Sequence, residues 1–403
     1  MTSSPSRALF TRDYFLAFLV LLGSYIVFIS LMTFMALYAA ERFQANDTAA
    51  GFAASSFVIG AGLVRLVIGK YLDFIGRKRT LIISLLVFVL CSLAYPLTAS
   101  YALLIVIRIV QGTMFGIIST AVTSAVIDVI PLSRRSEGLG YFALAATFGM
   151  AIGPLAAVEI NKVASTESVF YFTAACAVVS LVAVLPMRVK EHPPNADDYE
   201  HRWRIRGSDL VDLRALPVAI VAFLSAIGYA LITTYLAPYL VGRGMPDAAS
   251  LFFTVFALTM FGVRLFAGRV HDRRGENAVI PWALLAFAAS LVLVAVADTM
   301  WVVIVAAVLG GIGQGGAVPS LQAVGISRST PDRIPIATST HYLALDAGIA
   351  VGPVALGFII PLAGYPSLYI AGAAVLLSSI LVYWFVHGRQ TVHHKTVTRP
   401  RSR

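Results

Sequence analysis

The sequence predicts an all-α integral membrane protein with twelve transmembrane helices arranged in two pseudo-symmetric six-helix bundles. Three observations predict this fold: a shortage of charge, a series of apolar runs, and an internal repeat. Only 12% of the 403 residues are charged, whereas 59% are hydrophobic. Soluble domains are about 25% charged, and twelve bilayer crossings of roughly 20 residues need about 240 residues. The composition therefore leaves no room for a sizeable soluble domain.

Twelve apolar runs bounded by charge, glycine or proline mark the predicted helices. The first six cover about 14–38, 49–69, 80–98, 101–124, 137–158 and 168–186. The second six cover about 215–239, 248–268, 278–297, 300–323, 337–360 and 366–387. The runs predict an N-terminal bundle (1–187), a cytoplasmic linker (188–214), a C-terminal bundle (215–387) and a basic cytoplasmic tail (388–403).

The basic residues fall on one side of the predicted membrane. With the N-terminus inside, 24 of the 30 Lys and Arg residues lie in inner segments and three lie in outer loops. Three more, Arg65, Arg108 and Arg264, lie within helices. Because inner loops are enriched in Lys and Arg, both termini are expected in the cytoplasm and the protein in the inner (plasma) membrane. The same pattern accounts for the net charge of +10 without a nucleic-acid partner.

The two halves of the chain repeat each other with a constant shift of 199 positions. The shift maps four residues of the first half, Arg65, Gly69, Asp73 and Gly76, onto Arg264, Gly268, Asp272 and Gly275. It also maps Gly149, Gly153 and Pro154 onto Gly348, Gly352 and Pro353. One shift across two separate motifs indicates a duplicated bundle, the architecture of many transporters.

The loop after the second predicted helix resembles the signature motif of the major facilitator superfamily, and the resemblance covers essentially the whole chain. Gly69 and Gly76 permit close helix approach and a tight turn. Asp73 is a fixed anion that can bind Arg77. Phe74 departs from the pattern, which has a basic residue there. The resemblance implies that this loop helps to form an inner gate.

Two further carboxylates belong to this predicted inner gate. Asp128 follows the fourth helix in another segment that resembles the superfamily, and it is expected to pair with Arg77 or Arg135. Asp272 is the counterpart of Asp73 in the second half. The alternative remains open that Arg77 only enforces topology and that Asp128 is an ordinary interfacial carboxylate.

Two helices carry motifs that the superfamily links to proton-coupled transport and to export. Arg108, followed by Gln111, lies roughly 10 Å from the outer end of its helix, where a charge needs a partner or a wet cavity. The fifth helix contains Gly149, Gly153 and Pro154, which resemble the motif of proton-exchanging exporters, although Ala156 and Ala157 replace the trailing glycine pair. Snorkelling of Arg108 to the outer surface is the open alternative.

Asp346 is the residue predicted to carry the coupling proton. It lies about nine residues into the eleventh predicted helix, ~13 Å from the inner face. Desolvation at that depth favours the protonated carboxyl, and a nearby cation such as Arg108 opposes it. A structural acid paired permanently with a cation is the alternative interpretation.

A set of polar side chains is predicted to line the substrate cavity. Ser225, Tyr229 and Thr233 follow one another at i,i+4 spacing on an otherwise apolar helix. The full set of predicted cavity residues is Tyr25, Gln111, Tyr229, Thr233 and Gln314. Hydrogen bonding between neighbouring helices is the equally open alternative for the stripe.

These observations predict a secondary transporter, not an enzyme, that exports a small organic molecule in exchange for protons by alternating access. A proton-coupled importer of a sugar or organic acid is the runner-up, and a membrane receptor, sensor or membrane-embedded enzyme is a remote alternative. The chain has no nucleotide-binding loop and no HExxH or CxxC motif, so no cofactor or metal is expected. The expected partners are the substrate, protons and the lipid bilayer, with the protein a monomer.

Overall fold

A computed structural model describes residues 9–45, 47–194, 207–245 and 247–389. Its helices are α1 (Arg12–Phe43), α2 (Asp47–Ile75), α3 (Arg77–Ala94), α4 (Tyr101–Val129), α5 (Arg135–Phe142), α6 (Leu144–Val163), α7 (Thr166–Val184), α8 (Gly207–Leu210), α9 (Leu216–Gly242), α10 (Ala248–Arg274), α11 (Ile280–Ala295), α12 (Met300–Ser327), α13 (Ile334–Gly357) and α14 (Ile359–Tyr383). The all-α prediction is confirmed for this part of the chain. Parts of the predicted linker (195–206) and of the tail (390–403) lie outside the described residues.

Nine helical segments within the described ranges are long and apolar enough to cross a membrane. They correspond to α1, α3, α4 and α7 in the first half and to α9, α10, α11, α12 and α14 in the second. The three remaining predicted crossings coincide with α2, with α5 and α6 together, and with α13.

Several helices extend past the apolar runs, and polar caps and glycines set their ends. The Ser100 hydroxyl accepts a hydrogen bond from Leu103 N at 3.3 Å and begins α4. Helix α2 continues through its charged end to Gly76, whose φ of 93° favours glycine. Gly275 ends α10 in the same way, with a φ of 89°. The predicted fifth helix is broken at Ala143, between α5 and α6.

The described residues divide into two compact units. Unit 1 comprises those within Met1–Ser133, Phe142–Asp212 and Thr330–Thr340, and unit 2 those within Arg134–Tyr141, Leu213–Ser329 and His341–Arg403. The start of α5 therefore belongs to unit 2, and the start of α13 belongs to unit 1.

Unit 1 is built on close crossings between helices that carry glycine. Helix α2 packs along α4, and α1 packs against α6 and α7. A Cβ atom on Gly112 of α4 would collide with the carbonyl oxygen of Phe57 in α2. A Cβ atom on Gly149 of α6 would lie 2.5 Å from the Tyr25 Cβ of α1. Small residues at these crossings let the backbones touch.

Unit 2 repeats these crossings. Helix α10 packs along α12, and a Cβ atom on Gly311 would lie 2.7 Å from the Phe256 carbonyl oxygen. Gly311 and Phe256 are the counterparts of Gly112 and Phe57 under the shift of 199. Gly348 of α13 likewise packs against α9, where a Cβ atom would lie 2.7 Å from the Ala226 Cβ. The repeat in the sequence is therefore a repeat in helix packing.

Candidate functional site

A buried arginine joins the ends of three helices in unit 1. Arg77 begins α3, and its side chain is fully buried. Its Nε lies 2.6 Å from Asp73 Oδ1 at the end of α2, and its Nη1 lies 2.8 Å from Asp128 Oδ2 at the end of α4. Both predicted partners of Arg77 are thus in place. A guanidinium can bind two carboxylates at once because its donors form a rigid fork.

Glu191 and His192, which the sequence analysis did not single out, complete this cluster. The Glu191 carboxylate accepts hydrogen bonds from the backbone N–H of Arg77 at 2.7 Å and of Lys78 at 3.0 Å. It thereby caps the positive end of α3, where Gly76 offers no side chain. His192 Nε2 lies 3.0 Å from Asp128 Oδ2. Both residues follow the last apolar run of the first half, a segment interpreted only as linker.

Asp272 holds the start of α5 within unit 2. Its carboxylate accepts hydrogen bonds from the backbone N–H groups of Ser136 at 3.1 Å and Glu137 at 2.9 Å. These groups lie at the helix N-terminus, where a negative charge is stabilised. Glu137, whose side chain is nearly buried, lies 2.6 Å from both Arg134 Nε and Arg269 Nε. The sequence singled out Asp272 but gave no indication that Glu137 lies beside it.

The glycines of the duplicated loop serve close packing in both units. A Cβ atom on Gly69 would lie 2.8 Å from Ile336 Cα in unit 1. In unit 2 a Cβ atom on Gly268 would collide with Glu137 Cα. Ile336 and Glu137 are themselves 199 positions apart. Each glycine therefore lets the first turn of another helix lie against its own helix.

Arg108 and Gln111 lie inside unit 1, and neither is exposed. Arg108 Nε donates to the Ala53 carbonyl oxygen at 3.1 Å, and its guanidinium lies 4.9 Å from the centre of the Phe57 ring. Gln111 Oε1 accepts from the Tyr95 hydroxyl at 2.6 Å, and Gln111 Nε2 donates to Ser92 Oγ at 2.9 Å. The Gln111 amide thus bonds side chains of its own unit.

Asp346 lies near the middle of α13 in unit 2 and is partly buried. Arg108 belongs to unit 1, so the two residues predicted to couple protons are in different units.

The other predicted cavity residues differ in exposure. Tyr25 is partly buried and contacts the Phe115 ring edge-on at 5.2 Å. Tyr229 is partly buried too, whereas Thr233 is exposed and bonds the Tyr229 carbonyl oxygen at 3.2 Å. The Gln314 side chain is buried, and among the described residues no hydrogen-bond donor reaches its Oε1.

The predicted export motif forms a helix crossing within unit 1. Gly149 and Gly153 of α6 face α1, where Ser30 Oγ donates to the Gly153 carbonyl oxygen at 2.9 Å. Pro154 lies in the same helix and follows directly.

Comparison with known proteins shows which family the sequence matches. A family model described as Major Facilitator Superfamily matches residues 14–280 and 218–402. Multidrug resistance protein 1 of Bacillus subtilis is 26% identical over 149 residues, which are 37% of this chain and only 38% of that protein. Quinolone resistance protein NorA of Staphylococcus aureus is 23% identical over 382 residues, covering 92% of this chain and 94% of that protein.

The fold is also found among solved structures. The crystal structure of the human organic anion transporter MFSD10 (TETRAN) superimposes with a TM-score of 0.77 at 17% identity. The alignment covers 94% of this chain and 100% of that one. At this level of identity the likeness shows the fold alone.

Proposed function

Because the chain belongs to the major facilitator superfamily, we propose that it exports a small organic molecule from the cytoplasm in exchange for protons. Its membership makes it a membrane-embedded transporter rather than an enzyme. The direction, the coupling ion and the substrate class are the proposed part.

The position of Asp346 is the observation that supports coupling of transport to protons. It lies 12 residues after the first residue of α13, which has 24 residues, and so about 18 Å along the helix. A carboxylate at mid-helix depth in a membrane is costly, and such residues mark ion and proton pathways. Protonation removes its charge, so loading and releasing a proton changes the energy of every conformation that desolvates Asp346.

Arg108 is the proposed counter-charge that tunes this proton. Its guanidinium is buried within unit 1, where removing a permanent charge from water is expensive. A buried cation lowers the affinity of a carboxyl for a proton whenever the two approach. Exchange of a proton for substrate needs such a change of affinity during the cycle.

Export rather than import is supported by two features. The motif containing Gly149, Gly153 and Pro154 resembles that of proton-exchanging exporters, and its glycines form the close contact of α6 with α1. The names of two relatives describe multidrug and quinolone resistance, which favours an amphipathic organic substrate. We also propose a monomer in the inner membrane with both termini in the cytoplasm.

Two clusters of charged side chains, one around Arg77 and one around Asp272, are also given a proposed role. The cluster around Arg77 in unit 1 and that around Asp272 in unit 2 both lie at basic helix ends. We propose that they stabilise the conformation that is closed on the cytoplasmic side. Opening toward the cytoplasm would then require their hydrogen bonds to rearrange.

Replacing Asp346 by Asn tests the coupling, because Asn mimics the protonated carboxyl. The probe is the compound that most raises the unfolding temperature of the purified protein among quinolones, lipophilic cations, sugars and organic acids. In inverted vesicles, Asp346→Asn should abolish uptake driven by a proton gradient but keep exchange of labelled for unlabelled probe. Asp298→Asn, at an exposed acid near a helix end, should retain both activities. Gradient-driven uptake at the unmodified rate in Asp346→Asn would remove this residue from the mechanism.

A further inference from the structure

An apolar groove of about 550 Å³ opens on the surface of unit 2 between α10, α11 and α12. Gly262 and Ala267 of α10 and Gly316 of α12 form part of its lining. Phe266 and Trp282 also line the groove and are largely exposed, 62% and 67%. Its volume lies within the range of small-ligand sites, about 300–1,000 Å³.

At three positions of the groove lining, unit 2 has a smaller residue than unit 1. The shift of 199 positions places Leu63, Ile68 and Ile117 of unit 1 at the positions of Gly262, Ala267 and Gly316. This correspondence is structural as well, since the crossing of α2 with α4 repeats in that of α10 with α12. A Cβ atom on Gly262 would meet no other atom within 4 Å. The missing side chain therefore leaves open space.

One end of the groove carries positive charge. The residues of α10 that line it run from Thr259 to Val270. Arg273 and Arg274 follow Val270 by three and four positions, which places them on the same helix face, and both are exposed. Their counterparts in unit 1 are Phe74 and Ile75. The three small lining residues and the two arginines thus occur together in unit 2, and the corresponding positions of unit 1 carry apolar side chains.

We propose that this groove binds an acyl chain of an anionic phospholipid, whose phosphate lies at Arg273. Thr259 and Val270 are 11 residues apart, about 16 Å along a helix, which matches one leaflet of a hydrocarbon core about 30 Å thick. An apolar groove as long as one leaflet fits a single acyl chain. Exposed arginines at its end suit a phosphate, as do other basic pockets between membrane helices.

Trp282 provides a direct readout of the lipid in the groove. Trp203, Trp301 and Trp384 are replaced by Phe, and the protein is reconstituted into equal amounts of phosphatidylglycerol and phosphatidylcholine. Only one of the two lipids carries brominated chains, which quench tryptophan fluorescence on contact. We expect brominated phosphatidylglycerol to quench Trp282 with about fivefold preference over brominated phosphatidylcholine, the effect of one arginine at an anionic headgroup.

Two substitutions test the contributions of the groove and of the positive charge separately. Gly262→Leu introduces the side chain that unit 1 has at Leu63, and it should reduce quenching by both lipids. The matched control is Gly62→Leu, because a Cβ atom there also meets no atom within 4 Å and Gly62 does not line the groove. Arg273→Gln should abolish the preference for phosphatidylglycerol while quenching persists. The unfolding temperature of each variant verifies that it is folded.

Three outcomes would overturn the proposal. Equal quenching by the two lipids in the parent protein would mean ordinary solvation by the bilayer. Unchanged quenching in Gly262→Leu would place the bromine atoms outside the groove. Displacement of the lipid by the transported probe would assign the groove to the substrate. None of these measurements depends on the direction or the coupling of transport.

Discussion

Arg77 shows at the scale of one residue how the chain stabilises a buried charge. Its fully buried guanidinium contacts the carboxylates of Asp73 and Asp128. The spacing of Asp73 and Arg77 and the position of Asp128 allowed these contacts to be predicted. Glu191 and His192 were not predictable, because residues after an apolar run look like solvated linker unless the fold places them at a helix end.

Gln111 shows a second limit on what the sequence can predict about a single residue. An amide on a membrane helix fits a substrate cavity and a helix contact equally well in the sequence. The structure places it against Tyr95 and Ser92 within unit 1. The predicted contact of Gln111 with substrate therefore requires a conformation in which these two hydrogen bonds are broken.

Removing the charge of Arg77 should destabilise the protein substantially. Arg77→Gln leaves two carboxylates close together without their cation, and breaking a buried ion pair costs about 3–5 kcal/mol. Arg79→Gln is the matched control, because Arg79 is exposed two positions later. Denaturant titration of the purified protein in detergent measures the difference. Equal losses of stability in the two variants would show that the cluster contributes nothing beyond net charge.

Helices are the scale at which the sequence was most informative. The predicted crossings coincide with helices, and α1, α2 and α10 are longer than their runs because charged residues at the membrane surface remain helical. The break at Ala143 lies inside the predicted run 137–158 and was not predicted. Hydropathy does not register such a break, because the residues on both sides of it are apolar. The non-helical Gly364 lies within α14 but in the predicted loop between the runs 337–360 and 366–387.

Substitutions at the glycines where two helices cross test the packing of the helices. Gly112→Ala places a methyl group against the Phe57 carbonyl oxygen, so α2 and α4 must separate, at a cost of about 1–3 kcal/mol. Gly311→Ala should cost a similar amount at the equivalent crossing in unit 2. Gly62→Ala, in open space on α2, should be neutral or slightly stabilising, since Ala is the better helix former. The denaturant midpoints of the three variants measure these changes in stability. An unchanged midpoint in Gly112→Ala would contradict the close packing of α2 against α4.

For the whole molecule, the shift of 199 positions was the strongest element of the prediction. It appears in the structure as paired crossings, Gly112 on Phe57 and Gly311 on Phe256. The assignment of the starts of α5 and α13 to the opposite units was not predictable, because hydropathy divides a chain by its linkers rather than by its contacts.

The charge bias predicts the orientation, which cysteine labelling tests. In a background with Cys91→Ser and Cys176→Ser, Val163→Cys should react with an impermeant maleimide added outside cells. Leu132→Cys should react only after the membrane is permeabilised. Both positions are highly exposed, 85% and 78%, so reactivity reports sidedness rather than burial. The reverse pattern would invert the topology.

The sign of proton coupling tests the central claim most directly. Proteoliposomes are prepared with an imposed pH gradient of either direction, and uptake of the stabilising probe is followed. An exchanger takes up probe when the lumen is acidic, whichever way it is inserted, because outward proton flow drives inward probe movement. We predict uptake with an acidic lumen and none with an acidic exterior. Uptake driven by an acidic exterior would show symport and contradict proton-coupled export.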